Sequence, residues 1–143
     1  MFFDESRLDL PVRPDDLDAL GHVNNAVVLA YLEAGRRHWL ESRGAVDAAG
    51  AVAVVSRAEV DYLAEIAYGA VEVRTVLHTP SAADFDEDDV TFRAVFRQSV
   101  HRPGAPGPAV EALVTVAFLD AGQRHLIPLQ DYLSAVLTDR TAR

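Results

Sequence analysis

Cysteine is absent from the 143-residue chain. That excludes disulfides, thiolate catalysis and Cys-based zinc sites. Lysine is absent too, so all 13 basic side chains are Arg. A base-composition bias of the genome accounts for most of that choice, although forked guanidiniums suit phosphate recognition at a few positions. Positive charge is scarce overall. The net charge of −9 argues against a general binder of nucleic acid or anionic membrane, which needs a basic surface, but leaves room for a local basic pocket. No uncharged run approaches the roughly 18 residues of a membrane span. The start, Met-Phe-Phe-Asp-Glu-Ser-Arg, has no basic region before an apolar core and is not a signal peptide. A cytoplasmic protein is the expectation.

The common hydrolytic and nucleotide devices are missing as well. There is no Gly-x-Ser-x-Gly elbow, no His-Glu-x-x-His, no P-loop and no Gly-x-Gly-x-x-Gly. The five His, at 22, 38, 78, 101 and 125, are scattered. Carboxylates cluster at Asp84, Asp86, Glu87, Asp88 and Asp89. Their spacing lacks the Gly and terminal Glu of an EF-hand loop, so a solvated turn is expected there. No metal and no cofactor are expected.

What is present is half hydrophobic, enough for one domain, residues 1–143, with a sizeable core. The densest chemistry lies between Arg13 and Arg37. Asp15, Asp16 and Asp18 precede Gly21-His22, and Asn24 and Asn25 follow. Asn is a strong helix N-cap. Ala26 to Leu32 carries no charge, and the run continues through Trp39 to Gly44. That length predicts a helix of about five turns. Its first two turns are apolar on every face, so burial all round is expected.

Elsewhere the pattern has period two. Leu8 to Val12 is short and extended. Val52 to Leu63, Ala70 to His78, Val90 to His101 and Ala109 to Leu119 read as four long strands. In the first of these, Val54, Ser56, Ala58, Val60 and Tyr62 form one face of a half-buried strand. Pro128 precedes a short final helix with Leu133, Val136 and Leu137 on one side. Strands joined by short turns pair antiparallel. One apolar helix and one such sheet pack best with the sheet curled around the helix, an α+β layout. Apolar outer positions such as Val55, Leu63, Val76, Val95 and Leu113 predict a homo-oligomer.

A carboxylate before a helix start is the one chemical device left. Helix N-terminal N–H groups stabilise negative charge developing on a carbonyl oxygen. The carboxylate can activate water or attack directly. Together they suffice to cleave an activated acyl bond such as a thioester.

The segment Asp16-Leu17-Asp18-Ala19-Leu20-Gly21-His22-Val23-Asn24-Asn25, followed by Tyr31-Leu32-Glu33 and Arg36, resembles the signature of hotdog-fold acyl-CoA thioesterases. The closest group is the 4-hydroxybenzoyl-CoA thioesterase type. Val60-Asp61-Tyr62-Leu63 and Tyr68-Gly69 are similar to that family's second strand and turn. The resemblance implies a hotdog fold, an antiparallel sheet of about five strands wrapped around one long central helix. It implies acyl-CoA hydrolysis to free acid and CoA, with Asp18 as nucleophile or as base for water and the helix N-terminus polarising the carbonyl. It implies a homodimer or homotetramer with sites between subunits. His22 matches the His of related plant acyl-carrier-protein thioesterases, while their Asn position is Leu20 here. Where the family often has a basic residue and Pro, this chain has Ala64-Glu65.

The expected site is therefore Asp18 and His22 for catalysis, with Gly21, Val23, Asn24, Asn25 and Tyr62 against substrate. Arg57 and Arg93, ahead of Arg97 and Arg102, are the candidates for CoA phosphates. Asp15 and Asp16 are expected in solvent, Glu33 in an intrahelical ion pair with Arg36 or Arg37, and Tyr31 and Trp39 in the core or an interface. An acyl-carrier-protein thioesterase and a non-catalytic acyl-CoA-binding protein of the same fold are the rival readings.

Overall fold

The computed structural model describes residues 4–43, 51–79 and 92–129. The predicted final helix, the acidic cluster, the Gly44–Gly50 connection and the start of the third long strand lie outside the described residues. Strand β1 is Ser6–Pro11, and a short 3₁₀ turn spans Pro14–Asp16. Helix α1 is Asn25–Glu41. The strands β2 (Ala51–Tyr62), β3 (Ala70–Thr79), β4 (Arg93–His101) and β5 (Pro108–Asp120) follow, with a two-residue β6 at Leu126–Ile127. The sheet order is β1-β3-β4-β5-β2, with β6 on β5, and each pairing is antiparallel. This is the hotdog arrangement of one long helix against an antiparallel sheet. The two-residue β6 is too short to leave a period-two signal.

Alternation in β3, β4 and β5 puts Val71, Val73, Leu77, Ala94, Phe96, Val100, Val110, Val114, Val116 and Phe118 in the core, all under 9 % exposed. Helix α1 packs over β1, β3 and β4, burying Val28, Tyr31, Leu32, Trp39 and Leu40. Trp39 meets Phe96 edge to face at 5.3 Å. Gly35 lets the helix approach β3 closely. A Cβ there would lie 2.6 Å from Val73 Cγ1 and 2.8 Å from Thr75 Oγ1. Beside it, buried Gln98 donates to the Leu32 carbonyl (2.8 Å) and to Thr75 Oγ1 (2.9 Å), and accepts from Arg36 Nη1 (3.1 Å). Arg36 thus reaches inward to Gln98, and the charge of Glu33 still acts on it.

Two expectations about burial fail for the same reason. The helix is not covered all round: Ala26, Leu29 and Ala30 are exposed. Nor is β2 half-buried, because Val52 to Ala58 are all exposed. β2 is a sheet edge, and α1 packs over β1, β3 and β4 instead. Between them runs an open groove of about 950 Å³, with Leu29, Leu32 and Leu40 on one wall and Val55, Val116 and Phe118 on the other.

The sidedness of β2 also differs from a plain alternation. Its register against β5 shifts between Val55 and Arg57. Val55 faces buried Val116, whereas Ala58, Val60 and Tyr62 face Val114, Ala112 and Val110. Cross-strand partners share a face. So inward positions are odd-numbered before Ser56 and even-numbered after it, as a one-residue bulge requires.

Candidate active site

Asp18 stands on a tight loop between the 3₁₀ turn and α1. Leu17 and Val23 form an antiparallel bridge across its base. Asp18 N–H donates to the His22 carbonyl at 2.7 Å, and Gly21 N–H donates to the Asp18 carbonyl at 3.1 Å. Gly21 has φ +81°, the left-handed conformation that such a turn demands and that glycine adopts without strain. The Asp18 carboxylate folds back on its own loop, with Oδ1 accepting from Leu20 N–H (2.9 Å) and His22 N–H (3.1 Å). These donors, His22's first, hold the Asp18 carboxyl below the usual carboxylate range. Oδ2 takes no hydrogen bond among the described residues.

The helix start is built next to it. Asn24 caps α1, its Oδ1 accepting from Ala26 N–H at 2.8 Å, and its carbonyl accepts from Val27 and Val28. Asn24 N–H is taken by the Asp16 carbonyl at 2.9 Å. Asn25 N–H is the donor of this first turn left without an acceptor among the described residues. The Asn25 carbonyl accepts from Tyr62 Oη at 2.9 Å, which ties the end of β2 to the start of the helix.

Asp18, His22, Val23, Asn25 and Tyr62 line one cavity of about 310 Å³. Its apolar part is Val28, Ile66, Leu63 and Val110, and Leu20, Ala64 and Glu65 complete the wall. The five predicted residues are thus brought together. Asn24 stands at the helix cap and Gly21 in the turn, both outside the lining. Arg57 lies mid-way along the edge strand, paired with Glu59 at 2.5 Å, and Arg93 begins β4. Neither borders this cavity within one chain.

Glu65 entered the sequence reading only as a departure from the family pattern, not as a site residue. Its Oε2 lies 3.1 Å from His22 Nε2, and its carbonyl accepts from Arg102 Nη1 at 3.3 Å. Glu65 thus stands at the position where the family often has Pro, and Ala64 at that of the basic residue. Asp16 is the second correction. It is 2 % exposed, not solvated, and its Oδ2 accepts from Tyr31 Oη (2.7 Å) and Arg13 N–H (2.9 Å). The spacing to Tyr31 could have signalled this pairing only if the loop's return to the helix were known.

The model of the thioesterase-like superfamily matches residues 12–137, nearly the whole chain. The chain belongs to the thioesterase-like superfamily. By family it is a thioester hydrolase. Solved structures agree on the fold. A hypothetical protein, TT1821, from Thermus thermophilus is 27 % identical, with a TM-score of 0.74 over 94 % of this chain and 97 % of that one. A DHNA-CoA thioesterase from Staphylococcus aureus is 17 % identical at TM-score 0.75, covering 96 % and 91 %. Slr0204 from Synechocystis, a 1,4-dihydroxy-2-naphthoyl-CoA thioesterase, is 15 % identical at TM-score 0.71, covering 95 % and 97 %. No curated protein matches this superfamily member in sequence. Among its described residues, no helix is long and apolar enough to cross a membrane.

Proposed function

We propose that the chain hydrolyses an acyl-CoA thioester to the free acid and CoA at the Asp18 cavity. One observation carries this reading. Asp18, whose carboxylate keeps one oxygen unengaged, and Asn25, whose helix-start N–H has no acceptor among the described residues, line one cavity. The thioester carbonyl oxygen accepts from Asn25 N–H, where the helix dipole favours the charge that develops in the tetrahedral intermediate. Asp18 Oδ2 either takes a proton from water as the water oxygen bonds to the carbonyl carbon, or bonds to that carbon itself. In the first course the C–S bond breaks and CoA leaves as thiolate. In the second the same bond breaks to leave a mixed anhydride, which water then cleaves. The departing thiolate takes its proton from water, and the ring of His22, held on Glu65, lines the same cavity.

The same reading assigns the partner. A long exposed edge strand and an apolar helix stripe are a liability in a monomer. A second copy of this chain fits both, as a homodimer or as half of a homotetramer. Arg57 and Arg93 do not border the cavity of their own chain, and in the oligomer they stand against a neighbouring copy's CoA phosphates. The unit is a single domain of residues 1–143 working in the cytoplasm.

The test is thiol release from a panel of aliphatic and aromatic acyl-CoAs, by wild type and by Asp18→Asn. Hydrolysis should fall by about three orders of magnitude in the variant, the scale of losing a nucleophile or base. Equal rates would remove Asp18 from the mechanism. Binding of acyl-CoA without turnover in either protein would establish a binding module, and turnover of acyl-carrier-protein esters alone would change the substrate.

A further inference from the structure

One buried ionisable group has no part in the chemistry just described. Asp16 is 2 % exposed, two residues before Asp18, and its partner Tyr31 is 6 % exposed on α1. Burying a carboxylate is costly unless donors surround it. Here Arg13 N–H and Tyr31 Oη both donate to Oδ2, and Arg13 Nη2 lies 3.3 Å from Oδ1. An apolar side chain would fill the same space without that requirement, so the geometry of the donors is what the carboxylate adds.

That geometry connects the two halves of the site. Through its main chain Asp16 accepts from Asn24 N–H, the residue capping α1. Through its side chain it holds Tyr31, six residues beyond Asn25 and about 9 Å further along the helix axis. Its main-chain bond to Asn24, together with the one from Asp18 N–H to the His22 carbonyl, closes the Leu17–Val23 bridge at the base of the Asp18 loop. The loop that carries the carboxylate and the helix that carries the Asn25 N–H are therefore joined at two points, both on Asp16. We infer that Asp16 and Tyr31 are positioning residues, a buried tether that sets the Asp18 carboxylate against the N-terminus of α1. Neither touches the cavity. The tether acts through Asp18, and this role rests on the thioesterase reading above.

Asp16→Asn and Tyr31→Phe are the variants, each made in the wild-type and Asp18→Asn backgrounds. Misplacing a catalytic group by about an ångström costs up to roughly a hundredfold. Both variants should lower kcat by about ten- to a hundredfold with KM within about twofold of wild type. In the Asp18→Asn background neither should lower kcat further, because the group they position is already gone. A purely structural contribution would act equally in both backgrounds. Carboxyl-carbon NMR of the folded proteins supplies a readout independent of turnover: the Asp18 titration should move toward higher pH in Tyr31→Phe, which leaves every charge in place. An inert wild type would sink the thioesterase reading, and the Asp18 titration alone would then decide the tether. Wild-type kcat in the folded variants, equal losses in both backgrounds, or an unmoved Asp18 titration would overturn it. If Asp16→Asn does not fold, Tyr31→Phe, which deletes one oxygen, decides the matter.

Discussion

The Tyr62 hydroxyl donates to the Asn25 carbonyl at 2.9 Å. The last residue of the edge strand is thereby bonded to the first residue of the helix. Both line the cavity, so this bond fixes one wall relative to the proposed carbonyl-polarising N–H. Tyr62→Phe removes it and leaves the ring. A net hydrogen bond is worth about 1 kcal/mol, or roughly fivefold in rate. Thiol-release kinetics should show that loss in kcat, with the thermal midpoint nearly unchanged because Tyr62 is 44 % exposed.

The Asp18 carboxyl is held below its ordinary value of 3.8 by the N–H groups of His22 and Leu20. It must be ionised to act, so kcat/KM should stay flat as pH falls to about 4 and drop only below that. The sign for stability is the same. A folded-state pKa below the unfolded one adds stability above the unfolded value, and that stability is lost as pH falls through the folded value. Asp16 and Asp120 are shifted in the same direction, by N–H groups of Arg13 and Gln123 foremost. Acid denaturation should therefore begin below about pH 4, and Asp16→Asn should flatten it. An activity limb centred at pH 6 would assign the essential base elsewhere.

Gly35→Ala sets two effects against each other. Alanine favours a helix by about 1 kcal/mol over glycine. Overpacking a filled core costs about 1–3 kcal/mol. The new Cβ would press on Val73, which is fully buried, and on Thr75 Oγ1, which already accepts from Gln98. Neither neighbour has room to yield, so overpacking wins. Calorimetry should record a lower midpoint, by several degrees at most.

If a second copy covers β2, a charge there should prevent it. Val55 is 46 % exposed and faces Val116 across the strand pair. Val55→Lys and Val54→Lys should each convert the assembly to monomer in sedimentation velocity, with circular dichroism unchanged. Wild-type protein sedimenting as a monomer at micromolar concentration would sink the oligomer.

Much of the fold was legible because the core strands alternate strictly and the helix has both a cap and a stop. The Asp18–Asn25 cluster was legible because its residues are near neighbours in sequence. What escaped depends on contacts between distant segments. Glu65 reaches His22 from across the chain, and Asp16 meets Tyr31 only because the loop returns to the helix. The exposure of β2 and of the outer helix stripe was misread for a simpler reason. An apolar pattern states that a surface seeks cover, not that its own chain supplies it.

Ser56 has a consequence for how relatives are compared. The extra residue makes β2 two strands of opposite parity laid end to end. A homologue without the bulge, aligned through this stretch with no gap, would have the solvent face of one half matched to the core face of the other. The gap belongs at Ser56, and substitution patterns on its two sides have to be tallied in separate frames.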